Sequence, residues 1–140
     1  MNARIPGAGI LAYAALSACT LMPPLETPPP VSDNGAVVAL ADSARRDSDA
    51  GKPDAAAATL ERALRIEPHN PGLWHELAQI RLRQGHPDQA ASLAAKSNAW
   101  AGGDKTLRAA NWRLIGEART QLGDATGAQA AYDMATKLQP

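Results

Sequence analysis

Phenylalanine is missing from all 140 residues, and cysteine occurs once, at Cys19. A single thiol closes no internal disulfide, so whatever folds here rests on packing alone. Net charge is missing as well, because fourteen Lys and Arg offset fourteen Asp and Glu. A protein dedicated to nucleic acid shows a basic stripe, and this balance argues against one. β-Branched residues are few and scattered instead of alternating, which speaks against strands. The apolar run AGILAYAAL, from Ala8 to Leu16, is too short to cross a bilayer with ~30 Å of hydrocarbon. Alanine, by contrast, is abundant. It has the highest helix propensity and lets helices approach closely, so the expected fold is all-α, with one small domain once any processed segment is set aside.

The first residues read as a secretory signal: Arg4 and the free amine, a short apolar core, then small residues. Leu16-Ser17-Ala18-Cys19 resembles the lipobox of bacterial lipoproteins. In that family the signal is removed before the cysteine, which is then acylated. The resemblance implies a signal peptide over 1–18 and a lipid anchor on Cys19, a firm one because each buried CH₂ adds ~0.8 kcal/mol of membrane affinity. Thr20 stands where such lipoproteins carry the aspartate that favours inner-membrane retention, so the implied location is the outer membrane, facing the periplasm.

Residues 20–35, TLMPPLETPPPVSDNG, hold five prolines. Proline fixes φ and removes a donor, so 19–35 is expected to be an extended tether with polyproline II character, spanning ~40–50 Å. Ser32, Asp33 and Asn34 are candidate caps for a helix starting near Ala36.

From there the chain repeats. GKPDAAAATLERALRIEPHN, GHPDQAASLAAKSNAWAGG and GDATGAQAAYDMATKLQP each open with a glycine, Gly51, Gly85 and Gly123, and carry alanine five residues on, at Ala56, Ala90 and Ala128. Ahead of the last two, Trp74, Leu77 and Ala78 recur as Trp112, Ile115 and Gly116. Pro68 and Pro140 stand as helix stops. These positions resemble the tetratricopeptide repeat, a helix–turn–helix unit of 34 residues. The resemblance implies a domain over 36–140, with units at about 37–70, 71–104 and 105–140. In it, small residues let paired helices cross, and Trp74 and Trp112 fill the space between neighbouring pairs. The first unit has no tryptophan and carries Ser43 where an aliphatic is usual, which predicts a looser first helix. The second unit is four residues too long, near SNAWAGGDKTLRAANW. Gly102-Gly103 reads as a helix end and Asp104 as an N-cap, so the extra length should form one added turn at the start of the next helix. Trp100 is then expected to fold against Leu107 or its surroundings.

No motif for chemistry survives inspection. HELAQ at 75–79 has the start of a zinc-protease HExxH, but Gln79 replaces the second histidine. GGDK lacks the remainder of a phosphate loop, and no GxSxG occurs. The expectation is therefore a protein that is not an enzyme, with no cofactor, metal or small-molecule substrate. Tetratricopeptide folds bind partners with the first helix of each pair, and by motif position that surface presents Arg45 and Asp49, then His75, Gln79 and Arg83, then Arg113, Glu117 and Gln121. The lysines and asparagines of the chaperone-binding carboxylate clamp are not there. The last helix, ending at Pro140, is expected to leave an apolar side open that includes some of Ala131, Met134 and Leu138.

The wording WHELAQIRLRQG followed by AAKSNAWAGGDKTLRAANWRLIGEAR is similar to that of the LpoP-type outer-membrane lipoproteins. Those activate a bifunctional, class A penicillin-binding protein, the enzyme that polymerises and cross-links peptidoglycan. The resemblance implies a protein partner of that class and a role in cell-wall synthesis. The alternative is an assembly lipoprotein of the pilotin or secretion-scaffold kind.

Overall fold

The computed structural model describes residues 31–139. Cys19, the signal over 1–18, the tether up to Pro30, and Pro140 lie outside them. Six helices form three hairpins: α1 (Gly35–Asp49) with α2 (Pro53–Ile66), α3 (Pro71–Arg83) with α4 (Pro87–Trp100), and α5 (Lys105–Gln121) with α6 (Ala125–Lys137). There is no strand among the described residues. Of the three candidate caps, Asn34 is the one used; its side chain accepts from the Ala36 amide. Helices α2, α3 and α4 each open on a proline, where a missing N–H costs nothing. The hairpin turns close through Gly85 and Gly123, both at φ 77°, a conformation that a side chain would strain.

Alanine makes this stack possible. Of the 22 buried apolar residues among those described, 14 are alanine, so helices meet almost backbone to backbone and the core has little volume to give away. One cluster joins α1, α2 and α3 around Val37, Leu60, Leu73 and Leu77. A second joins α3 to α6 around Ala78, Ala90, Leu114 and Ile115. The small motif positions behave as their sizes demand. Ala78 and Ala90 are fully buried, and Ala128 nearly so. Gly116 faces the ring of Tyr132, and a Cβ there would lie 2.5 Å from that ring. In the preceding hairpin, Ala78 and Ala94 hold the places of Gly116 and Tyr132, so a smaller residue on one helix is matched by a larger one on the other.

The first helix is not loose: α1 runs 15 residues, with Val37, Ala41 and Ala44 buried. The four additional residues form the expected turn. Trp74 is the fourth residue of α3, whereas Trp112 is the eighth of α5, and the Asp104 side chain accepts from the Leu107 amide at 2.9 Å. That insertion has a cost. The Trp74 Nε1–H donates to the Pro68 carbonyl, six residues back, at 2.8 Å. Six residues before Trp112 the chain is already helical, and the Trp112 Nε1–H is buried without a partner.

Two expectations need correction. Val31 and Ser32, assigned above to the tether, belong to the folded domain. Asn70 donates to the Val31 carbonyl at 2.8 Å, and Ser32 donates to Glu67 at 2.6 Å. Trp100 stacks on His69, with ring centroids 4.0 Å apart, and stays 46% exposed. At the last helix, Met134 is the exposed apolar residue; Ala131 is buried and Leu138 half-buried.

Candidate functional site

The first helices of the three hairpins carry the eight residues assigned to the partner surface, and seven of them share two adjoining depressions. Arg45, Asp49, Gln79 and Arg83 line one of about 240 Å³ between α1 and α3. His75, Gln79, Arg83, Arg113 and Glu117 line the next, of about 350 Å³, between α3 and α5. Gln79 and Arg83 belong to both, so the surface is continuous. Gln121, the last residue of α5, lines neither.

Charged and polar contacts lace the first depression. Arg45 donates to Glu76 of α3 and, at 2.9 Å, to Asp42 on its own helix. The hydrogen bond to Glu76 raises the Arg45 pKa above its already high value, outweighing partial burial, with Asp42 adding to the same effect. Arg83 donates to the Ser48 hydroxyl at 2.6 Å. Arg113, Glu117 and Asp49 make no ion pair among the described residues. They remain available to a partner's charges, which act on encounter rate and orientation more than on raw affinity.

His75 is held differently. Its Nδ1 lies 2.6 Å from the Asn111 Oδ1, and Asn111 uses its Nδ2 to donate to Ser97 and Asn98. Only the Asn111 oxygen is left to face the ring, so Nδ1 carries the proton. In that tautomer Nε2 accepts from Gln79 at 3.0 Å. Ser97 in turn donates to the Pro71 carbonyl at 2.8 Å. Asn111 and Ser97 are fully buried, so a polar chain runs from the interior of the α3–α4–α5 junction to the ring that faces the depression. Reading the sequence missed this network. Its signal is present in the spacing: Asn111, Leu114, Ile115 and Ala118 share one face of α5, and Ser97 follows Ala90 and Ala94 on α4.

The three tryptophans do not form one aromatic surface. Trp74 packs on the first core cluster and Trp112 on the second, while Trp100 pairs with His69. Trp74 does more than fill space, because it also floors an apolar groove of about 720 Å³ between α2 and α4, on the side away from the predicted surface. The sequence reading missed this too. Among the described residues, no cluster of His, Cys, Asp or Glu is placed to hold a metal ion, and no helix is long and apolar enough to cross a membrane.

Comparison with known proteins agrees with this geometry. The family model described as Tetratricopeptide repeat matches residues 48–111. The globular C-terminal domain of P. aeruginosa LpoP is 39% identical, with a TM-score of 0.73, over 75% of this chain and 99% of that one. The Sgt2 TPR domain from Aspergillus fumigatus is 20% identical, with a TM-score of 0.69, over 80% and 72% of the two chains. The second TPR of Spaghetti (RPAP3), bound to the HSP90 peptide SRMEEVD, is 18% identical, with a TM-score of 0.67, over 75% and 94%. The last two show the fold alone. No curated protein matches. At 39% identity to the LpoP domain along nearly that domain's whole length, the chain belongs to the tetratricopeptide-repeat family, as a relative of the LpoP globular domain.

Proposed function

We propose that this protein is a non-catalytic lipoprotein, acylated at Cys19 and facing the periplasm, that binds and activates a bifunctional peptidoglycan synthase of the penicillin-binding class. The observation that carries the reading is the likeness to the LpoP domain at 39% identity, together with a continuous charged strip on the first helices of the hairpins. Binding activates only if the active conformation of the synthase is held more tightly than the inactive one. A tenfold shift between them needs a difference of ~1.4 kcal/mol, within the range of two or three rim charges. With Val31 fastened to the domain, the chain between it and Cys19 comprises residues 20–30, and in polyproline II these eleven residues would span ~34 Å. The synthase must cover the rest of the distance.

The test mixes purified protein with the cognate synthase and follows glycan polymerisation. The expected result is a faster rate that falls at least several-fold with Arg83→Glu/Arg113→Glu, a pair of exposed positions whose reversal leaves the fold intact. No binding and no change in rate would overturn the proposal.

A further inference from the structure

The groove on the opposite side has features of a built site. Helices α2 and α4 make at most marginal direct contact, so a slot opens over α3 between them. Trp74 and Leu77 form its floor, Leu64 and Leu93 its walls, and Pro68 lies at one end. On the rim, Arg81 is engaged with Glu61 at 2.8 Å. Arg65 and Lys96 have no ion pair among the described residues, and the Lys96 ammonium lies 3.9 Å over the Trp74 ring. The slot thus offers aliphatic walls, a tryptophan ring with an ammonium over it, and two cations that have no ion pair among the described residues.

We propose that residues 20–30 of this same chain, TLMPPLETPPP, occupy this groove. Position is the first argument. Val31, the next residue, is fastened at the α2–α3 corner, where the Asn70 side chain donates to its carbonyl. Its side chain fills space that only Gly72 leaves, since a Cβ there would lie 2.7 Å from the Val31 Cγ2. Pro68, at one end of the groove, also lines the hollow in which Val31 sits, so the segment is delivered to that end. Length is the second. From Lys96 to Asp88 the groove follows nine residues of α4, or ~12 Å of helix. Eleven residues of polyproline II reach ~34 Å, enough to clear the corner and run the whole slot.

Chemistry is the third. Leu21, Met22 and Leu25 suit the aliphatic walls, and the prolines suit the tryptophan face, as proline-rich segments suit aromatic grooves generally. Glu26, the only charge in the segment, meets those two cations. Because the segment is joined to the domain, its effective concentration is of millimolar order, so even a millimolar intrinsic affinity fills the groove about half the time. On the reading proposed above, the docked segment would be a shortened leash, lengthened when the groove lets go; the docking itself does not depend on that reading.

The experiment uses the unlipidated chain from residue 19 to 140, with a nitroxide on Cys19, its only thiol, and amide NMR as the readout. Docking broadens the amides of Asp88–Ser92, at the far end of the groove, and spares Arg113–Gln121 on the other face. Leu25→Asp/Glu26→Lys, which lies outside the described residues, then abolishes the broadening and shifts the Trp74 indole resonance. Broadening spread over both faces, or unchanged in the double variant, would overturn the proposal. So would Trp74 shifts that grow with protein concentration, which would place a second copy in the groove. None of these outcomes bears on the synthase assay, so the two proposals fail separately.

Discussion

Replacing Asn111 with alanine tests how the interior holds the partner-facing surface. Asn111 is fully buried and makes three side-chain hydrogen bonds, to His75, Ser97 and Asn98. The losses are unequal. His75 sits at the edge of a depression, where water can replace its partner. Ser97 keeps its bond to the Pro71 carbonyl and loses only an incoming donor. Asn98 fares worst, because its Nδ2 is already buried without a partner and its oxygen would join it. Net hydrogen bonds are worth ~0.5–1.5 kcal/mol each, and a stranded buried group costs ~1–3 kcal/mol, so Asn111→Ala should cost about 3 kcal/mol. In a domain of this size that lowers Tm by ~12 °C, taking ~4 °C per kcal/mol. Urea unfolding followed by circular dichroism reads the first number, and a thermal melt reads the second. Ring ¹⁵N shifts of His75 supply an independent signature, since the tautomer fixed by Asn111 should give way to a mixture. Asn111→Ala/Ser97→Ala should lose less than the sum of the single variants, because the two residues share a bond. A loss under ~1 kcal/mol with His75 shifts unchanged would refute the reasoning.

Gly116→Ala places a methyl group 2.5 Å from the Tyr132 ring and should cost ~1–3 kcal/mol by urea unfolding. Gly116→Ala/Tyr132→Ala, which reproduces the Ala78/Ala94 pairing of the preceding hairpin, should lose much less than the two single changes added together; simple additivity would count against the size-matching argument. Ser32→Ala probes pH. The Glu67 carboxyl is held below its usual 4.5, first by the hydrogen bond from Ser32 and then by that from Asn70. A carboxyl held low stabilises the fold above its ordinary value, and that contribution is lost as pH falls through the lowered one. Ser32→Ala should therefore have a lower urea midpoint than wild type at neutral pH, with the gap closing as pH falls through that lowered value. An equal gap at both ends would show that Ser32 acts by packing and not through Glu67.

The repeat was legible because its signals are local and redundant. Gly85 and Gly123 mark turns, and Trp74 with Trp112 keeps the register across an insertion, so the extra turn of α5 was readable from Gly102, Gly103 and Asp104. Seven of the eight predicted surface residues also line the two adjoining depressions, since helical spacing places them on one side of α1, α3 and α5; Gln121 does not. What escaped was relational. Asn111 means little until Ser97, Asn98 and His75 arrive from two other helices, and one polar residue on an apolar face does not announce its partners. The groove over Trp74 depends on how far α2 stands from α4, a distance set by the packing of both on α3 that no single residue encodes. Val31 was read as tether because it follows three prolines. The vacancy it fills is created 41 residues later, at Gly72.

That junction decides where a mechanical load would enter the molecule. The described chain begins at the α2–α3 corner, where Asn70, Gly72 and Glu67 grip Val31 and Ser32 before α1 begins. Tension along the N-terminal chain is thus handed to the seam between the first two hairpins. The outermost helix, which a direct pull would peel from the stack first, hangs behind that grip and stays slack.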